Sequence, residues 1–214
     1  MIIAVDGPAA SGKGTLARRL AHYYGLAFLD TGALYRAAAL RALEAGDPHD
    51  PKVAVAAAAS VTLSDLGDPH LRDERVGAAA SVVAAIPEVR RALLDAQRQF
   101  AHHPPEGKPG AVLDGRDIGT VVCPDADVKI FLTASPEARA MRRLKELQEQ
   151  GTGAIYERVL QDMKARDARD SERTTAPLAR AADAFELDTT ALDADGAFAA
   201  SVAFITRVLD SRKS

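Results

Sequence analysis

The segment Gly7-Pro8-Ala9-Ala10-Ser11-Gly12-Lys13-Gly14-Thr15 constrains this chain more than any other. It follows a short apolar run, Ile2-Ile3-Ala4-Val5, and opens a stretch of helical period from Lys13 to Tyr24 that Gly25 stops. Gly7, Gly12 and Lys13 keep the G-x-x-x-x-G-K spacing of a phosphate-cradling loop, in the strand–loop–helix context such a loop requires. Glycines let backbone N–H groups turn inward around phosphate oxygens. The helix that follows points its positive end at the anion, and Lys13 reaches the terminal phosphates. One position departs from the strict motif. Gly14 stands where a Ser or Thr would hold magnesium, and the hydroxyl comes one residue later at Thr15. Magnesium ligation must then lean on water and on a carboxylate elsewhere in the chain.

The rest of the sequence alternates short apolar runs with helical stretches. Further strands are expected at Ala27–Leu29, Ala111–Asp114, Val128–Leu132 and Ala184–Leu187. Helices are expected over Ala33–Ala45, Pro51–Ser60, Asp73–Ile86, Pro87–Phe100, Pro136 to about Gln150, a stretch ending near Arg169, and Asp195–Leu209. This pattern predicts an α/β fold in three layers, with a parallel sheet of about five strands covered on both faces. Residues 61–72 read as loop or at most two short strands around Gly67-Asp68-Pro69, and 102–110 as a linker. The chain has 214 residues, which suits one compact domain. Its 27 Lys and Arg against 30 Asp and Glu give a net charge of -3, which argues against a general nucleic-acid binder. The single cysteine, Cys123, excludes a disulfide framework and reads as a small buried hydrophobe in a reducing, cytoplasmic setting. No apolar run is long enough to span a membrane, and Met1 leads into a strand rather than a signal peptide. Nothing in the sequence calls for more than a monomer.

The loop alone fits several functions: a kinase for one of several small acceptors (CMP, AMP, UMP, shikimate), or a nucleotide-dependent switch or ATPase module. An Asn-Lys-x-Asp guanine-reading motif is absent. Further blocks narrow the choice. Gly-Lys-Gly-Thr at 12–15 is the variant carried by nucleoside monophosphate kinases. Asp30-Thr31-Gly32-Ala33-Leu34-Tyr35-Arg36, Ser81 with Pro87-Glu88-Val89-Arg90, and Asp114-Gly115-Arg116-Asp117-Ile118-Gly119-Thr120 resemble the bacterial cytidylate kinase family. So do Arg166-Asp167-Ala168-Arg169-Asp170 with Arg173, and the closing Leu187-Asp188-Thr189-Thr190. The resemblance runs from the first strand to the last helix. Residues 61–72 are shorter than the insertion usual at that point in bacterial members.

This resemblance implies a P-loop kinase core (residues 1–30, 108–138 and 170–214), an acceptor-binding segment (31–107) and a lid (139–169). It implies ATP and Mg2+ on Gly7 to Thr15, that is Gly7, Pro8, Ala9, Ala10, Ser11, Gly12, Lys13, Gly14 and Thr15. Arg36, Arg116 and Arg173 would hold the phosphate of CMP or dCMP, while Ser81, Arg90 and Asp117 would read the edge of cytosine. Asp170, supported by Arg166, would bind the ribose hydroxyls. Tyr35 and Thr31 would shape the pocket, and Asp114 would anchor the metal through water. Lys13, Asp114, Arg116 and Arg173 form the implied catalytic set. On the charged lid helices, Arg139, Arg142 and Arg143 either close on ATP or form a solvated face. Ser11 and Thr31 also suit helix caps.

Overall fold

The computed structural model describes residues 1–149 and 151–212. Five strands form one wholly parallel sheet: β1 (Ile2–Asp6), β2 (Ala27–Asp30), β3 (Ala111–Gly115), β4 (Val128–Thr133) and β5 (Phe185–Asp188), in the order β2-β3-β1-β4-β5. Eight helices accompany them among the described residues: α1 (Lys13–Tyr24), α2 (Thr31–Ala45), α3 (Pro51–Ala59), α4 (Glu74–Val83), α5 (Pro87–His102), α6 (Pro136–Glu149), α7 (Tyr156–Ser171) and α8 (Ala194–Ser211). The expected end of the sixth helix, at about Gln150, lies outside the described residues.

The sheet is buried on both faces because its strands carry apolar residues at successive positions. Ile3, Val5, Val112, Ile130 and Leu132 pack with Leu16 and Leu20 of α1 and Ile205 of α8. Ala4, Leu29 and Leu113 pack on the other side with Leu34 of α2, Ala80 and Val83 of α4, and Leu93 of α5. Small side chains dominate that second layer. Ala37, Ala38, Ala39 and Ala42 of α2 are all buried, which lets helix backbones approach closely. The predicted three-layer α/β fold is thus what the chain adopts. No helix among the described residues is long and apolar enough to cross a membrane.

Residues 61–72, expected as loop or at most two short strands, form no strand. They form two 3-10 turns, Leu63–Gly67 and Pro69–Arg72. Their aspartates satisfy backbone donors locally: Asp65 accepts from Thr62 N at 2.7 Å and Asp68 from His70 N at 2.8 Å. Arg41 of α2 also donates to Asp65 at 2.8 Å. With these groups engaged and Leu71 buried against Ala33 and Ala37, the segment folds on α2 rather than pairing as strands. Helix α5 runs on to His102 and takes in the start of the expected linker.

Parallel pairing sets Val5 and Asp30 beside Asp114 and Asp6 beside Gly115, so three strands end within one residue of each other at the carboxyl edge of the sheet. Fully buried Leu113, at the centre of β3, holds that edge from below. Leu113→Ala is expected to cost about 2–5 kcal/mol of unfolding free energy, read by urea denaturation as a lower midpoint with an unchanged slope.

Candidate active site

The phosphate loop follows β1 directly. Gly7 has φ 153°, and a Cβ there would meet the Leu132 carbonyl at 2.5 Å. Gly12 starts α1 in the left-handed region at φ 90° with no side-chain cap, so the first-turn N–H groups point into the loop unclaimed by a cap. Ala10 is also left-handed, at φ 56°. Ser11 is fully buried with its Oγ unpaired. It therefore does not cap α1, and it leaves a hydroxyl for a ligand. Thr31 is not a cap either: Asp30 accepts from Ala33 N at 3.1 Å and caps α2, while Thr31 Oγ1 donates to the Asp114 carbonyl at 2.8 Å. Gly14 explains the departure from the strict motif. A Cβ there would come within 3.1 Å of Asp114 Oδ2, so the carboxylate lies where a larger side chain would crowd it.

Three buried or half-buried aspartates lie at the carboxyl ends of β1, β2 and β3 (Asp114 one residue before the end of β3), and each is managed differently. Asp6 accepts from Ile118 N and Gly119 N, both at 2.8 Å. Burial pushes its carboxyl up to about 7 even though the two amides pull it down. Asp30 pairs with Arg36 at 2.7 Å. Asp114 lies 3.8 Å from Lys13 Nζ and keeps its Oδ1 without a hydrogen-bond partner. Burial raises the Asp114 carboxyl, and burial followed by Arg116 lowers the Lys13 ammonium.

Beside the loop, five guanidinium groups converge: Arg36, Arg90, Arg116, Arg166 and Arg173. Three carboxylates partner them. Arg116 Nε and Arg173 Nη2 both reach Asp170 at 3.0 Å, Arg90 Nη2 reaches Asp117 at 2.5 Å, and Arg36 reaches Asp30. Asp170 titrates below the usual carboxylate range because these arginines outweigh its burial. Arg166 is pulled down to about 10 by burial and then by Arg116, and its Nε has no partner. Tyr35 lies under Arg90, with the guanidinium carbon 5.3 Å from the ring centroid. Buried Ser81 on α4 keeps an unpaired Oγ. The structure thus brings Tyr35, Arg36, Arg90, Arg116, Asp117, Arg166, Asp170 and Arg173 into one cluster.

Arg139 and Arg142 of α6 do not form a solvated face. Arg139 on α6 makes a bidentate pair with Asp167 of α7, at 3.1 and 2.6 Å, and also donates to the Ala9 carbonyl of the loop at 3.2 Å. Arg142 donates to the carbonyl oxygen and hydroxyl of Thr189, whose hydroxyl lies 3.0 Å from the Ser11 carbonyl. Arg143 is half-exposed, pairs with Glu146 at 3.1 Å, and faces Arg166. Ala10 packs against the apolar seam between α6 and α7.

Sequence reasoning missed Asp6, Asp30, Asp167 and Thr189 as parts of the site. The available signal was an aspartate at the carboxyl end of several parallel strands, the edge where α/β folds bind ligands. No cluster of three or more His, Cys, Asp or Glu suited to a metal forms among the described residues, so a cation at Asp114 needs other oxygen donors. Anionic phosphates should restore the proton that burial loosens from Lys13. ATP binding at pH about 8 should therefore take up protons, seen by calorimetry in buffers of different ionisation enthalpy, and Lys13→Met should abolish the uptake.

This geometry meets known proteins in the following way. Residues 3–206 match the family model described as cytidylate kinase. A cytidylate kinase of Rhodospirillum rubrum is 61% identical over 203 residues, covering 94% of this chain and 95% of that protein. One of Paramagnetospirillum magneticum is 60% identical over 205 residues, covering 95% and 97%. A solved structure of an uncharacterized protein from Eubacterium ventriosum is 13% identical with a TM-score of 0.54, over 97% of this chain and 98% of that one, a likeness of fold alone. By sequence over nearly its whole length, the chain belongs to the cytidylate kinase family.

Proposed function

We infer that this chain transfers the γ-phosphoryl group of ATP to the phosphate of CMP or dCMP, giving the corresponding diphosphate and ADP. The observation that carries this reading is a charge imbalance. Five guanidinium groups face three carboxylates beside the phosphate loop, an excess of two positive charges. A nucleoside monophosphate carries a phosphate of roughly -1.5 to -2 charge at neutral pH and would balance it. ATP on the loop and a monophosphate on the arginines would bring donor and acceptor phosphates face to face.

The acceptor phosphate is ionised at neutral pH, so no strong base is needed. One of its oxygens attacks the γ-phosphorus in line, and the bond to the bridging oxygen breaks with its electron pair left on ADP. Lys13, Arg116 and Arg173 offset charge on the moving phosphoryl group, so the work is orientation and electrostatics. The unpaired Oδ1 of Asp114 fits a magnesium shell completed by water and phosphate oxygens. When bound, magnesium would add neutralising charge at the phosphates. Asp117 would accept from the exocyclic amine of cytosine with Arg90 and Ser81 beside it, an arrangement that disfavours the carbonyl of uracil. Asp170 and Arg166 would receive the ribose.

The segments 31–107 and 139–169 would close over the nucleotides, because water admitted to the site would accept the phosphoryl group in place of CMP. We take the chain to act as a monomer, and its single cysteine, Cys123, suits a reducing cytoplasm.

An acceptor panel tests the reading: ATP and magnesium with CMP, dCMP, UMP and AMP in turn, scored by ADP release. CMP and dCMP should be the fastest acceptors. Asp117→Asn should lower kcat/KM for CMP roughly 10- to 100-fold, the worth of a charged hydrogen bond, with a smaller loss for UMP. Turnover of AMP or UMP as fast as that of CMP would overturn it.

A further inference from the structure

We propose that Asp6 is a positioning residue for acceptor specificity, holding the turn that carries Asp117 and thereby aiming the base-reading carboxylate from the donor side of the site. The inference rests on the reading of Asp117 given above.

The geometry is specific. After β3, the chain passes through Arg116 and Asp117 and enters a tight π turn, Ile118–Val122. Asp117 is built into that turn, since its carbonyl accepts from Val121 N at 2.9 Å and from Val122 N at 3.1 Å. Movement of the turn therefore moves Asp117. Two side chains from other parts of the fold hold it. At its far end, Arg98 of α5 donates to the Val121 and Val122 carbonyls, both at 3.0 Å. At its near end, Asp6 accepts from Ile118 N and Gly119 N, one amide to each carboxylate oxygen, both at 2.8 Å.

Both carboxylate oxygens are used, and only an acid offers an acceptor on each side. Asparagine has the same shape but would present an NH2 group to one of the two amides. The turn has no slack on its other side. A Cβ on Gly119 would lie 3.1 Å from Lys129 Cδ and 3.4 Å from Asp6 Oδ2. Lys129 is itself anchored, donating to the Pro124 carbonyl at 2.6 Å and pairing with Asp183. Gly119 is thus held between a lysine stem and the Asp6 carboxylate.

Asp6 immediately precedes Gly7 of the phosphate loop, yet its carboxylate hydrogen bonds run to the acceptor-side turn. One residue thereby gives the ATP-binding loop and the base-reading turn a common reference. Its loss should fall on acceptor recognition rather than on ATP.

The test compares wild type, Asp6→Asn and Asp117→Asn, with steady-state kinetics for CMP, UMP and ATP and amide hydrogen exchange over residues 114–122. Asp6→Asn should raise KM for CMP about tenfold and shrink the CMP-over-UMP preference three- to tenfold. KM for ATP should stay within twofold, and exchange at Ile118 or Gly119 should speed up. A residue that merely supported folding would not move the CMP-over-UMP ratio. If Asp6→Asn does not fold, Gly119→Ala displaces the same turn from the other side and should reduce that preference too. If wild type prefers CMP and Asp117→Asn removes the preference, but the Asp6 variant (or its Gly119 substitute) keeps the wild-type ratio, the role of Asp6 is overturned. If wild type shows no preference for CMP, or keeps it in Asp117→Asn, the reading of Asp117 itself has failed, and the Asp6 inference goes with it.

Discussion

The constraint on which the rest of the site depends is the meeting of three aspartates at one edge of a parallel sheet. Asp6, Asp30 and Asp114 lie at or one residue from the carboxyl ends of neighbouring strands, and desolvation there disfavours unpartnered charge. Each therefore needs a partner, and the partners are different. Asp6 takes two backbone amides, Asp30 takes Arg36, and Asp114 has only Lys13, 3.8 Å from an Oδ1 that makes no hydrogen bond. A turn, Arg36 and the loop lysine are thus all anchored on the same row of strand ends. The sheet does more than support the site from below, because its own terminal residues sort the cations and donors above it.

Beyond that row the charge is left unbalanced. Arg116 and Arg173 share one carboxylate, Asp170, and Arg166 keeps a buried Nε without a partner. Burying guanidinium groups without equal anionic charge costs stability, so the cluster is tolerable only where an anion completes it. The same tying together of distant groups extends to α6 and α7. Arg139 joins Asp167 to the loop carbonyl of Ala9, and Arg142 joins α6 to Thr189 beside Ser11, so the helices over the site are tied to the phosphate loop itself. Asp167 lies next to Arg166 and three residues before Asp170, so the strut reaches the helix that contributes both to the arginine cluster.

Much of this was legible from the chain. The phosphate loop and its flanking strand and helix follow from local spacing. The alternation of apolar runs with helical periods predicted the layered sheet. The arginine blocks pointed to a second anionic ligand, and the cluster Arg36, Arg90, Arg116, Arg166 and Arg173 does form. Of the loop or short strands expected at 61–72, no strand forms, because local aspartate-to-amide bonds, rather than apolar alternation, shape the segment. Arg139 and Arg142 could be taken as mobile lid groups or surface charge. Their pairing with Asp167 and Thr189 joins residues 28 and 47 positions apart, a separation no periodicity reveals.

The sequence by itself determined which chemistries were available: glycines where phosphate oxygens need backbone donors, a lysine at the helix start, arginines in excess, and no cysteine pairs or long apolar spans. These are local properties of residue type and spacing. Only the tertiary structure decided how the charges were shared. Asp6 and Ile118 are 112 residues apart, and Thr31 and Asp114 are 83 apart, yet parallel pairing in the order β2-β3-β1 brings them within hydrogen-bond distance. Asp114 is left with an oxygen that makes no hydrogen bond and Asp6 with none such for the same physical reason. In a buried row of like charges, each group's chemistry is set by which distant donor the fold delivers to it, not by its neighbours in the chain.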